Sequence, residues 1–168
     1  ALACLGAPFG TVKHSNEVQE ESVLQTEVRG TVDQLAEDLR AATNGDSTVP
    51  IEVMTATTLQ FLSPDRASTY HMRRIAYQLV SHKLQRAVTT STDTDGSPWV
   101  LGWSTPPSNA WVTQVGSVRN TTLFTYLDAN AAVTATAASV RTVKISVSVS
   151  PNGSQARQYN YANSATLR

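Results

Sequence analysis

The sequence predicts an α+β domain, a long N-terminal α-helix packed on an antiparallel β-sheet. Two patterns lead there. From about Asn16 to Thr43, Leu24, Val28, Val32, Leu35, Leu39 and Ala42 recur at spacings of three and four, which places them on one face of a helix. After Gly45 the apolar residues alternate with polar ones in short runs bounded by turn residues, the signature of half-buried strands. The two patterns do not interleave, which argues against a doubly wound parallel sheet. With 168 residues the chain fits one domain and can bury a core without a metal or disulfide staple.

Each element has its own warrant. Ala1–Phe9 is apolar but far short of the roughly 20 residues that span a bilayer, so residues 1–15 are expected to be the remnant of an apolar anchor region. The helix is expected over 16–44. Ser15 or Asn16 caps its start, and Arg40 followed by Asn44-Gly45 closes its end. Glu17, Gln19, Glu20, Glu27, Asp33 and Glu37 form the solvated face, and Gly30 weakens the middle by about 1 kcal/mol relative to Ala. The β-rich part covers 45–168. Strands are expected at Ile51–Met54 and Thr57–Leu62, with a turn at Ser63-Pro64-Asp65, then at Arg74–Val80 and Lys83–Thr89. Thr92–Pro107 is rich in Ser, Thr, Asp, Gly and Pro and reads as a long surface loop carrying Trp99 and Trp103. Thr122–Leu127 and the strictly alternating Thr142–Val149 follow, and Ala165–Arg168 returns as a short edge strand.

Composition narrows the function classes. Thirteen basic residues balance thirteen acidic ones, leaving no overall electrostatic footprint for nucleic acid or an anionic membrane. Charged residues are only 15% of the chain, against roughly 25% in an average domain, so much of the surface is neutral and polar, as suits an exported or assembled protein. Cys4 is the single cysteine, which excludes an intrachain disulfide framework and a multi-thiolate zinc site.

No catalytic constellation stands out. His14, His71 and His82 are scattered, with neither a metalloprotease pair, nor a phosphate-cradling glycine loop, nor a nucleophile elbow. The chain therefore reads as non-enzymatic and without a cofactor. Asp93 and Asp95, beside Gly96, are half of a calcium loop, but no distal bidentate Glu follows, so a solvated turn is the reading and no metal is expected. Arg66, Arg73 and Arg74 lie near Tyr70 and Tyr77, a set that suits either a phosphate-contacting patch or an ordinary solvated face, and the balanced charge favours the latter. Trp99, Trp103 and Trp111 cover the core or form a binding loop. Asn120-Thr121-Thr122 and Asn152-Gly153-Ser154 are glycosylation sequons.

The run Val32-Asp33-Gln34-Leu35-Ala36-Glu37-Asp38-Leu39-Arg40-Ala41-Ala42 resembles the end of the first helix in type IV pilin-like proteins, especially minor pilins and J-type minor pseudopilins. Ile75-Ala76-Tyr77-Gln78-Leu79 followed by Leu84-Gln85-Arg86 is similar to that family's Tyr-x-Leu strand leading to Leu-x-Arg. Phe124-Thr125-Tyr126-Leu127-Asp128 with Asn130, Val140–Val149 and Thr166-Leu167-Arg168 follow in the family's order. The resemblance implies a pilin-like fold and a non-catalytic subunit of a bacterial type IV pilus or type II secretion filament. It further implies inner-membrane anchoring before assembly by a helix missing here, an extracytoplasmic globular part at the cell envelope or surface, and partner subunits met through the face of Leu24, Val28, Val32, Leu35 and Leu39. The alternative is an anchored extracytoplasmic ligand-binding or adhesion domain that uses Trp99, Trp103 and Trp111.

Overall fold

The computed structural model describes residues 9–43, 49–65, 71–92, 110–151 and 157–167, with helix side chains described from Gln19 onward. One helix, α1 (Phe9–Arg40), precedes β1 (Ile51–Met54), β2 (Thr58–Asp65), β3 (His71–Val80), β4 (Lys83–Thr90) and β5 (Val112–Val115). Then come β6 (Phe124–Leu127), a short 3-10 turn at Ala137–Ser139, β7 (Thr142–Val149) and β8 (Tyr159–Thr166). The strands form two antiparallel sheets, β1-β2-β3-β4-β5 and β6-β7-β8.

This overturns the expected α+β class. The fold is mostly β: among the described residues a single α-helix accompanies eight strands, and they make two sheets rather than one platform under a long helix. The physical reason is a change of partner after β5. Residues 117–123 leave β4 and run beside β7 instead, where Arg119 N donates to Ser148 O, Ser146 N to Leu123 O and Ser150 N to Ser117 O. Period-two alternation reports that a strand has a buried face, and carries nothing about which strand lies next to it.

Four local expectations also change. The helix begins at Phe9 and ends at Arg40, so Ser15 and Asn16, expected to cap a helix over 16–44, lie inside it. Ser63-Pro64-Asp65 is not a turn but the end of β2, with Pro64 opposite Met72. By strand alternation Pro64 turns its nitrogen to the same side as Leu62, away from β3, so its missing donor costs the β2–β3 ladder nothing. The expected edge strand at Ala165–Arg168 is instead the eight-residue β8, paired along its whole length with β7 from Thr142↔Thr166 to Val149↔Tyr159. β5, a four-residue strand, was not expected.

Apolar residues of α1 and of both sheets meet in a shared core. Val28, Val32, Leu35, Ala36 and Leu39 are buried against Phe61, Ile75, Tyr77 and Val115 of the first sheet and Val143, Ile145, Val147 and Ala165 of the second. The sheets are also tied directly: Leu123 N and Phe124 N donate to Ala56 O, and the Tyr126 hydroxyl donates to Thr55 O at 2.8 Å. The β3–β4 hairpin closes through Ser81 and His82, both at positive φ, the geometry of a two-residue primed turn. That geometry is held from outside, because Val118 N donates to His82 O and the His82 ring pairs with Val118 O at 2.9 Å.

Candidate functional site

The helix is the element on which the sequence places function, and it divides into two parts. From Val28 to Leu39 its apolar stripe is sealed inside the chain. Val28, Val32, Leu35 and Leu39 are therefore occupied by the chain's own strands, and Leu24 is packed at the margin of the core. From Gln19 to Glu27 no helix position is buried, and Val23 is 65% exposed. A helix-mediated contact with another molecule thus falls to the part preceding Val28.

A polar root fixes the buried part. Asp38 sits on the inner side of α1, 8% exposed, and three side chains converge on it. The Tyr77 hydroxyl donates to Asp38 Oδ2 at 2.9 Å, Arg86 Nη2 donates to the same oxygen at 2.9 Å, and Gln34 Nε2 donates to Oδ1 at 3.0 Å. Arg86 Nε also donates to the Tyr77 oxygen at 3.0 Å. Tyr77 and Arg86 are opposite each other on β3 and β4, so the strand register delivers both to one carboxylate. Burial, then the negative charge of Asp38, pushes the Tyr77 pKa far above its ordinary value of 10.0, which keeps the phenol neutral and donating. Burial alone would lower the Arg86 pKa; the electrostatic pull of the Tyr77 oxygen and of the Asp38 carboxylate, with their hydrogen bonds, outweighs it and raises it, so the guanidinium stays charged. Each member is satisfied by the other two, which makes the trio a strut rather than a reactive centre.

Beside the exposed part of α1 lies a groove of about 500 Å³ lined by Gln19, Glu20, Val23, Leu24, Glu27, Ser117 and Pro151. Apart from this groove, polar pairs clamp the helix to β8 and to Arg157 just before it. Arg157 Nη1 lies 3.3 Å from Glu21 Oε2, Asn163 Nδ2 donates to Asp33 Oδ1 at 2.9 Å, and Arg40 Nη2 donates to Ser164 O at 3.1 Å. Together they fix the helix along β8.

Of the remaining sequence candidates, Trp111 is half-buried just before β5, next to Val112, which is 57% exposed. Trp99, Trp103, Asp93, Asp95, Cys4, Arg66, Tyr70 and the second sequon lie outside the described residues. Among the described residues no three His, Cys, Asp or Glu side chains gather as metal ligands. Of the three arginines of the candidate patch, Arg73 and Arg74 project from opposite faces of β3, and Arg74 is held by Glu52 through contacts of 2.6 and 2.8 Å. Burial alone would raise the Glu52 pKa, but bonds from Arg74 and Gln60 and the Arg74 charge hold it below its ordinary 4.5. Asn120, in the first sequon, is a structural staple. Its Nδ2 donates to Thr122 O and Ser146 O and its Oδ1 accepts from Ser148 N, so a glycan there would displace bonds that hold residues 120–122 to β7.

A scan against protein-family models finds no match, and no curated protein matches the chain. Among the described residues no helix is long and apolar enough to cross a membrane.

Proposed function

We propose that this chain is a non-catalytic structural subunit of a type IV pilus or type II secretion filament that meets its neighbours through the exposed part of α1. The single observation that supports this most is the division of the helix: a buried root from Val28 to Leu39, and a stretch from Gln19 to Glu27 with no buried position and an exposed Val23. A helix anchored at one end and open along the rest can add to a stack of like helices, since each apolar contact gains roughly 25 cal/mol per Å² covered. The resemblance adds support at the root. Asp38, Tyr77 and Arg86 come from the two segments that resemble pilin-like sequences, and they are hydrogen-bonded to one another. The two-sheet β architecture contributes nothing to this reading, which rests on the helix and on the order of the segments. In it the globular part is extracytoplasmic and bacterial, held at the inner membrane before assembly.

The test is cross-linking in the cells that encode the protein. Val23→Cys, in a Cys4→Ser background of the full-length gene product, is expected to give oxidative cross-links to other filament subunits and to co-sediment with sheared filaments. Recovery solely as an uncross-linked anchored monomer, with filaments unchanged by deletion of the gene, would overturn the proposal. That result would favour an anchored binding domain, for which the half-buried Trp111 beside exposed Val112 offers a contact surface.

A further inference from the structure

Four buried side-chain polar atoms among the described residues have no hydrogen-bond partner: Ser63 Oγ, His71 Nδ1, Arg73 Nε and Arg119 Nε. Three of the four share one corner. In the β2–β3 ladder Ser63 is directly opposite Arg73, and Asp65 directly opposite His71, so all four residues project from the same face at the end of the hairpin. Opposite residues have β-carbons about 5 Å apart and diagonal ones about 7–8 Å, so the ends of Ser63, His71 and Arg73 lie within reach of one small molecule. Ser63 is fully buried, and His71 and Arg73 are half-buried.

A native fold rarely leaves such atoms unmatched, since each buried polar group without a partner costs about 1–3 kcal/mol. Their chemistry selects the ligand. Arg73 carries donors and no acceptor, so the corner does not suit a cation; a hydroxyl, an imidazole N–H and a guanidinium N–H together suit an acceptor with several oxygens. A Ser-His-Asp hydrolytic triad is not built here, because His71 Nδ1 makes no bond to Asp65 although the two are opposite, and Ser63 Oγ makes no bond to the ring. With Asp65 offsetting Arg73 the corner has little net charge, which disfavours an extended polyanion and leaves recognition to directed hydrogen bonds. Arg73 is already oriented for this, with Nη2 donating to Pro64 O at 3.4 Å while Nε remains without a partner.

We propose that the Ser63–His71–Arg73 corner binds a small tetrahedral oxyanion of the phosphate class. This site is independent of the filament reading. The test is thermal unfolding of the purified chain in inorganic phosphate against chloride at matched ionic strength, with His71 ring resonances followed by NMR. Phosphate is expected to raise Tm in a saturable way and to shift the His71 resonances. Arg73→Gln should weaken binding tenfold or more. Ser63→Ala removes an unmatched buried hydroxyl, so it should fold at least as well as the parent in chloride and yet lose most of the phosphate effect. Glycerol phosphate binding more tightly than the inorganic ion would identify an ester as the physiological source; equal or weaker binding would identify the free ion. Equal Tm in phosphate and chloride, or a phosphate effect that survives both substitutions, would overturn the proposal.

Discussion

The two parts of α1 share one continuous backbone and differ in what covers them. Between Val28 and Leu39 the apolar positions are sealed by strands of both sheets, and a carboxylate, Asp38, is shared by Tyr77 and Arg86. Between Gln19 and Glu27 no position is buried; Leu24 packs at the margin of the core and Glu21 pairs with Arg157. Helical periodicity is thus a necessary sign of burial and not a sufficient one: what decides is whether strands reach the stripe. The buried part carries stability, and the stretch from Gln19 to Glu27 is left largely open to solvent.

Leu35→Ala should expose this contrast most. It empties a fully buried site between the sheets and should cost about 3–4 kcal/mol in urea unfolding. Asp38→Ala comes next, at about 2–3 kcal/mol: it leaves Arg86 and Tyr77 without their shared acceptor, and the quarter exposure of Arg86 to water keeps the loss below that of a fully buried pair. Gly30→Ala has the opposite sign. A β-carbon at Gly30 meets nothing within 4 Å, so the gain in helix propensity, about 1 kcal/mol, should appear in full as a raised unfolding midpoint. Val23→Ser, on the exposed part, should leave unfolding within about 0.5 kcal/mol of the parent. A large loss there would mean that Val23 is covered in the isolated chain, and the two parts of the helix would no longer differ.

The sequence made some of this legible and concealed the rest for identifiable reasons. The stripe from Leu24 to Leu39 is visible because a 3.6-residue period is local, and Thr142–Val149 is visible because its alternation is unbroken. Ser63-Pro64-Asp65 misleads because Pro in a strand is tolerated only where its nitrogen faces away from a partner, a property of the neighbours and not of the tripeptide. β8 is hidden by its own polar edge: Asn160, Asn163 and Ser164 read as loop, yet Asn163 Oδ1 accepts from Ser164 N and Arg40 donates to Ser164 O, which covers the outer side of that residue. The division into two sheets, and the meeting of Asp38 with residues 39 and 48 positions away, are long-range facts that no local pattern encodes. The Ser63–His71–Arg73 corner was invisible for the same reason, since only the β2–β3 register brings a serine from a supposed turn opposite an arginine assigned to a solvated face.

Residues 117–123 also determine how the molecule comes apart. On one side this stretch bonds to the β3–β4 hairpin through Val118 and His82, and on the other it runs along β7 through Arg119, Asn120 and Leu123. Neither sheet can separate from the other without releasing the same few residues, so opening of one strips protection from its neighbour. The two sheets therefore behave as one cooperative unit, and amide hydrogens at Val118 and Arg119 should exchange as slowly as those at the centres of β3 and β7.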